Sequence, residues 1–178
     1  WAAALARRCR AFLLLGTPEA DGALFNSLVL FAPDGARCGT HRKVNALRVG
    51  SESWSTPGDR ATVVEAKGIG RLGLSICADL HSPRLVAETA AQGFDLLLSA
   101  AAWAPGHHGP AGEWERASAE TGRPVVVCNR TGADSMDFTG ARSVVAVDGA
   151  IAFAYGEADP AILLVDWHDG QLADWRRA

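Results

Sequence analysis

Short apolar runs separated by turn-forming residues dominate this chain, and only a few segments space their apolar positions as a helix does. Ala2 to Arg10 reads as the tail of a helix. Ala11 to Leu15 reads as a buried strand stopped at Gly16-Thr17-Pro18-Glu19, and Leu24 to Phe31 as a second strand closed by a Pro33-Asp34-Gly35 turn, with a hairpin to follow. Thr62 to Ala66 and Arg71 to Ile76 predict two strands joined across Lys67-Gly68-Ile69-Gly70. Ser82-Pro83 pairs a capping hydroxyl with a proline at the first helical position, and Gly93 is a stop, which predicts a helix over 82–92. Beyond it the pattern predicts a strand over Asp95 to Ala100, a long Gly/Pro/His loop to Gly112, and a helix over Glu113 to Thr121. Pro124 to Cys128 then reads as a strand, Ser143 to Val147 and Ile151 to Ala154 as a hairpin across Asp148-Gly149, and Ile162 to Trp167 as the last strand. This alternation is that of an α/β protein. No repeat, low-complexity tract or linker interrupts it, so residues 1–178 are expected to form a single domain.

Composition narrows the function more than the fold. Of 178 residues, 48% are hydrophobic and 21% charged, enough for a core without metals or disulfides. A net charge of −3 supplies no basic field for phosphate backbones, which argues against a general nucleic-acid binder and leaves only a local patch for such a role. No apolar run approaches the ~18 residues of a membrane span, and the apolar stretch after Arg10 is too short for a signal peptide. Four cysteines, at 9, 38, 77 and 128, show neither a C-x-x-C pair nor regular spacing, which points to reduced thiols and a cytoplasmic location. The only methionine is Met136 and the chain opens at Trp1, so the sequence is expected to continue upstream.

Two segments carry candidate chemistry. In Leu74-Ser75-Ile76-Cys77-Ala78-Asp79 a strand delivers a thiol to a polar turn just before a proline-started helix, where backbone N–H groups can face an oxyanion. In Gly39-Thr40-His41-Arg42-Lys43-Val44 the lysine is one of two in a chain with fifteen arginines, Lys67 being the other. A compact ammonium suits a tight oxyanion pocket where a planar guanidinium would not fit. The ordinary alternatives are a packed cysteine at a strand end and a surface lysine, and Cys9, Cys38 and Cys128 read as packing residues. Asp79 reads as a brace for the turn after Cys77, and Glu113, Glu115 and Glu120 as solvated carboxylates. Gly68-x-Gly70 lacks the remaining glycine of a dinucleotide loop. His107-His108 has no third ligand at metal spacing, so no metal and no cofactor are expected.

Taken together, the segments resemble the carbon–nitrogen hydrolase family, the nitrilase superfamily. Phe25-Asn26-Ser27 through Pro33-Asp34-Gly35 is similar to the family's asparagine strand and its turn, and Arg42-Lys43-Val44 to its lysine motif. Glu52, Trp54 and Pro57-Gly58-Asp59 resemble its second glutamate element, and Gly70 to Asp79 its cysteine element. Ala101-Ala102-Trp103, Trp114 to Asn129 and Phe138 to Gly149 follow in the family's order. The resemblance implies a nitrilase-like α-β-β-α sandwich, incomplete at its N-terminus, and thiol-dependent hydrolysis of a small-molecule amide, carbamoyl compound or nitrile through a thioester. It implies that Cys77 is the nucleophile, that Lys43 and the Ala78 N–H stabilise the oxyanion, and that Glu52 helps position substrate and lysine. Trp103 and the 104–112 loop, with His107 and His108, would shape the substrate pocket. The family's first catalytic glutamate lies well upstream of the lysine, and no residue here takes its place; Glu19 falls in a turn. Strand edges left open by a missing segment point to a homo-oligomer. Arg84, Arg142 and His81-Ser82 depart from the family's pattern. The alternatives are a silent nitrilase-like subunit, an acyl transferase using the same thioester, and a Cys-His hydrolase using His81.

Overall fold

Nine-residue pairing along Leu13–Asp21 and Ala23–Phe31 sets the architecture of the N-terminal part. The computed structural model describes residues 1–47, 52–106, 109–133, 136–157, 159, 161–168 and 171–177. Its contacts gather into two units, Trp1–Phe94 and Asp95–Ala178.

In the first unit a helix α1 (Ala2–Cys9) buries Ala2 and Ala6 and ends at Arg10, which takes a left-handed conformation with φ 49°. Strands β1 (Leu13–Asp21), β2 (Ala23–Phe31) and β3 (Arg37–Arg42) follow as an antiparallel meander in that order. The first strand is longer than its apolar pattern predicts. It runs straight through Gly16-Thr17-Pro18-Glu19 because every residue has a partner on β2, Pro18 lying opposite Asn26, and an outer strand tolerates a proline whose missing N–H faces away from the ladder. Glu19 is therefore on a strand and not in a turn. Its carboxylate accepts from Ser27 Oγ at 2.7 Å, Arg37 Nη2 at 2.8 Å and Arg42 Nε at 2.9 Å. Central β2 buries Ser27, Leu28, Val29 and Leu30 in succession, so both of its faces are covered. Strands β4 (Thr62–Ala66) and β5 (Gly70–Ile76) form the expected antiparallel pair. A short 3-10 turn over Cys77–His81 then leads to α2 (Pro83–Ala91), whose Ser82 cap accepts from the Leu85 N–H.

The second unit holds a mixed sheet. Strand β6 (Leu96–Ala101) runs parallel to β7 (Val125–Asn129) through a crossover containing α3 (Glu113–Thr121), and β8 (Ser143–Val147) and β9 (Ala150–Tyr155) continue antiparallel. Asp148 and Gly149, at φ 49° and 81°, make the tight hairpin turn. Trp114, Ala117 and Ser118 of α3 are buried with Val125, Val127, Val144, Val145 and Phe153. Glu113 is also buried, and not solvated as its helix-start position suggests, because its carboxylate turns back to accept from the Ala111 N–H. The strand β10 (Leu163–His168) is not the last: β11 (Gln171–Arg177) pairs back on it antiparallel. The charged run of β11 hides the alternation that would reveal it.

Among the described residues no helix is long and apolar enough to cross a membrane. Cys9, Cys38 and Cys128 are exposed and do not pack as expected, whereas Cys77 is buried.

Hydrogen bonds from Arg42, then from Arg37 and Ser27, outweigh desolvation and hold the Glu19 carboxyl down to about 2 from the ordinary 4.5. A depressed carboxyl contributes stability that is full above its unfolded value and is lost as pH falls towards its folded value. Urea midpoints of the wild type should fall faster than those of Glu19→Gln as pH drops from 4.5 towards 2. Parallel curves for the two proteins would contradict this linkage.

Candidate functional site

Strand alternation starts the site. His41 and Lys43 lie two residues apart on and just beyond β3 and are both buried, whereas Arg42 between them turns the other way, towards Glu19 and Asp21. The Lys43 backbone is pinned on both sides: its N–H donates to Asn26 O at 2.8 Å, and its carbonyl accepts from Gly58 N at 2.7 Å. A Cβ on Gly58 would stand 2.2 Å from Arg42 O, so the Pro57-Gly58 element has a glycine because this backbone approach leaves room for nothing larger.

The Lys43 ammonium is only 3% exposed and needs a counter-charge. Glu52 supplies it, with Lys43 Nζ donating to both carboxylate oxygens at 2.8 and 2.6 Å. Asn26 Nδ2 donates to Oε1 at 2.8 Å and the Leu47 N–H to Oε2 at 3.1 Å. The carboxylate is thus held by four hydrogen bonds from three donor groups, and it fixes the end of the lysine side chain.

Cys77 stands where β5 breaks into the 3-10 turn. Its φ of 47° is left-handed, a conformation rare for a residue with a side chain and one that stores strain. Asp79 opposes that strain by accepting from Ile76 N at 2.9 Å, and its other oxygen accepts from Val44 N at 3.0 Å and Asn45 N at 2.7 Å. Asp79 also bonds His41 Nε2 at 2.9 Å. Asn45 Nδ2 donates to the carbonyl of Ala78 at 2.7 Å. One buried carboxylate and one amide therefore tie the loop after Lys43 to the turn that carries Cys77 and Ala78. The bracing expected of Asp79 is what the geometry gives.

Trp103 belongs to the second unit. It is buried just after β6, its N–H bonded to Asn129 Oδ1 at 2.9 Å, its carbonyl to Asn129 Nδ2 at 3.0 Å, and its ring edge-to-face with Trp114 at 5.8 Å. His107 and His108 lie outside the described residues. His81 is exposed on the turn after the buried Cys77, and Arg84 is exposed and paired with Glu88. No group of three His, Cys, Asp or Glu side chains able to hold a metal occurs among the described residues. Asn26, His41 and Asn45 carried no role in the sequence reading. The signal for His41 was its place two residues before Lys43 on an alternating strand, and the signal for Asn26 was the hairpin register that sets Ser27 opposite Arg42.

The carbon–nitrogen hydrolase family model matches residues 1–177. Over 161 residues the chain is 29% identical to the 2-oxoglutaramate amidase of Paenarthrobacter nicotinovorans, covering 85% of this chain and 54% of that protein. Over 105 residues it is 31% identical to hydrolase C26A3.11 of Schizosaccharomyces pombe, covering 53% of this chain and 32% of that protein. The chain thus spans between about a third and a half of the curated relatives it matches. Among solved structures, the NitN amidase from Nesterenkonia sp. AN1 is similar with TM-score 0.83 and 25% identity over 94% of this chain and 67% of that chain. Nit3 of Saccharomyces cerevisiae follows with TM-score 0.78 and 24% identity over 89% of this chain and 60% of that chain. The expected α/β sandwich class is the fold these structures share.

Glu52→Gln strands a buried ammonium and should lower the unfolding free energy by about 3 kcal/mol. Lys43→Met combined with Glu52→Gln should lose less than the sum of the two single changes, read from urea melts as a double-mutant cycle. Additive losses would show that the two side chains do not depend on each other.

Proposed function

The chain belongs to the carbon–nitrogen hydrolase family, and from that premise we propose that it hydrolyses the carbon–nitrogen bond of a small-molecule amide through a Cys77 thioester. The single observation that supports this reading is the linkage of a buried, carboxylate-held ammonium to a strained cysteine turn through one carboxylate, Asp79. In this reading the Cys77 sulfur gives up its proton and adds to the amide carbon, forming a C–S bond while the carbonyl π electrons move to oxygen. Lys43 and the Ala78 N–H stabilise that oxyanion. Its collapse breaks the C–N bond, and the leaving nitrogen takes the proton as ammonia or an amine. Water then adds to the thioester, and the C–S bond breaks to release the acid and regenerate the thiol. Glu52 holds Lys43 in place through both of its carboxylate oxygens. The names of two of the similar proteins, the 2-oxoglutaramate amidase and the NitN amidase, favour an amide over a nitrile or carbamoyl compound.

The proton shuttle needs a carboxylate, and the described ones of the first unit that stand nearest in sequence are engaged: Glu52 on Lys43, Glu19 on two arginines, Asp79 on three backbone N–H groups. We assign the shuttle to a carboxylate outside the described residues, as the family resemblance expects. That engagement is also the observation that favours the second reading, a silent nitrilase-like subunit.

Kinetics on a panel of short amides, carbamoyl compounds and nitriles separates the two. Cys77→Ala should abolish turnover, and Lys43→Arg, despite keeping the charge, should lower kcat by the roughly 3 kcal/mol that one oxyanion donor contributes. Alkylation of Cys9, Cys38 or Cys128 should leave turnover intact. Near-normal kcat in Lys43→Arg would remove the lysine from the mechanism, and no turnover of any substrate by the wild type would favour the silent subunit.

A further inference from the structure

We propose that His41 is a positioning residue that sets the distance between Lys43 and Cys77 by locking the Asp79 carboxylate; this rests on the reaction proposed above. His41 is 2% exposed and sits at a strand position that faces the site, two residues before the lysine. A buried imidazole retains its place only if both ring nitrogens find partners. Nε2 bonds Asp79 Oδ2 at 2.9 Å, and Nδ1 bonds Thr62 Oγ1 on β4 at 3.1 Å.

The two oxygens of Asp79 do different jobs. Among the described residues, Oδ1 receives the N–H groups of Val44 and Asn45, the residues directly after Lys43. Oδ2 receives Ile76 N, directly before Cys77, and His41 Nε2. The carboxylate is therefore a rigid spacer with the lysine loop on one oxygen and the cysteine strand on the other. With three backbone donors on it the carboxylate acts as acceptor only, so the His41 nitrogen facing it is protonated. His41 is the one side chain among these donors, and the imidazole is anchored in turn to β4. Without it, Oδ2 keeps a single bond and the carboxylate can rotate about χ2, letting the lysine loop drift relative to the turn. A drift of about 1 Å in a reacting geometry costs as much as 100-fold in rate while leaving ground-state binding little changed.

The test compares His41→Phe, which keeps a flat ring but loses the donor, with His41→Gln, whose side-chain amide nitrogen reaches as far as Nε2. In the full protein, kcat of His41→Phe should fall about 10- to 100-fold with KM within about twofold of wild type, and His41→Gln should recover to within about threefold. If His41→Phe does not fold, His41→Asn, whose amide stops one bond short of Asp79, takes its place with the same expectation. A second readout needs no turnover: hydrogen exchange of the Val44 and Asn45 amides should quicken at least tenfold in His41→Phe or His41→Asn and return towards wild type in His41→Gln. Unchanged kcat in His41→Phe, a His41→Gln as slow as His41→Phe, a rise in KM alone, or unchanged exchange would each overturn the proposal. A wild type that turns over nothing would sink the proposed reaction, and the exchange readout would still decide whether His41 holds the spacer.

Discussion

A lysine ammonium withdrawn from water must take a carboxylate in with it, and much of the first unit is arranged to meet that demand. The Lys43–Glu52 pair is useful only if neither partner can wander, since a buried charge that loses its partner costs more than the pair contributes. Asn26 and the Leu47 N–H complete the glutamate's shell, the β2 backbone holds the lysine from one side, and Gly58 holds it from the other. The meander of β1 to β3 supplies these positions by register alone. Its hairpin pairing sets Asn26 beside Lys43, and strand alternation sends Arg42 away to the Glu19 cluster.

A strained turn is the second constraint, and it depends on the first through Asp79. A side-chain-bearing residue at positive φ costs of the order of 1–3 kcal/mol and persists only where its surroundings over-determine it. The turn at Cys77 is over-determined by the same carboxylate that collects the two N–H groups after Lys43. Moving the lysine loop and relaxing the cysteine turn are therefore one event. That coupling explains why Lys43, Glu52, His41 and Asp79 sit away from water although each burial is costly: each of these four side chains is bonded to a neighbour in the site.

Element positions were largely legible from the sequence because turn chemistry marks them. Ser82-Pro83, Asp148-Gly149 and the flanks of α3 were read to within a residue or two. Failures came where tertiary pairing overrides local signals. Gly16-Thr17-Pro18 reads as a break, yet β2 pairs across it, and β11 is a strand that pairing with β10 reveals and its own composition conceals. Cys77, Lys43 and Glu52 were legible as candidates because they fall in recognisable motifs. Alternation places His41 on the same face as Lys43, but the bonds of His41 and Asn45 to an aspartate more than thirty residues away are encoded by no local spacing.

The proposed hydrolysis passes through one covalent bond to the protein, a thioester at Cys77. Acid-quenching the protein during turnover of a short-chain amide and mapping its peptides by mass spectrometry tests it directly. An acyl mass is expected on the peptide containing Cys77, discharged by hydroxylamine and absent from peptides containing Cys9, Cys38 and Cys128. Steady hydrolysis with no acyl adduct at Cys77, or with the adduct on another residue, would contradict it.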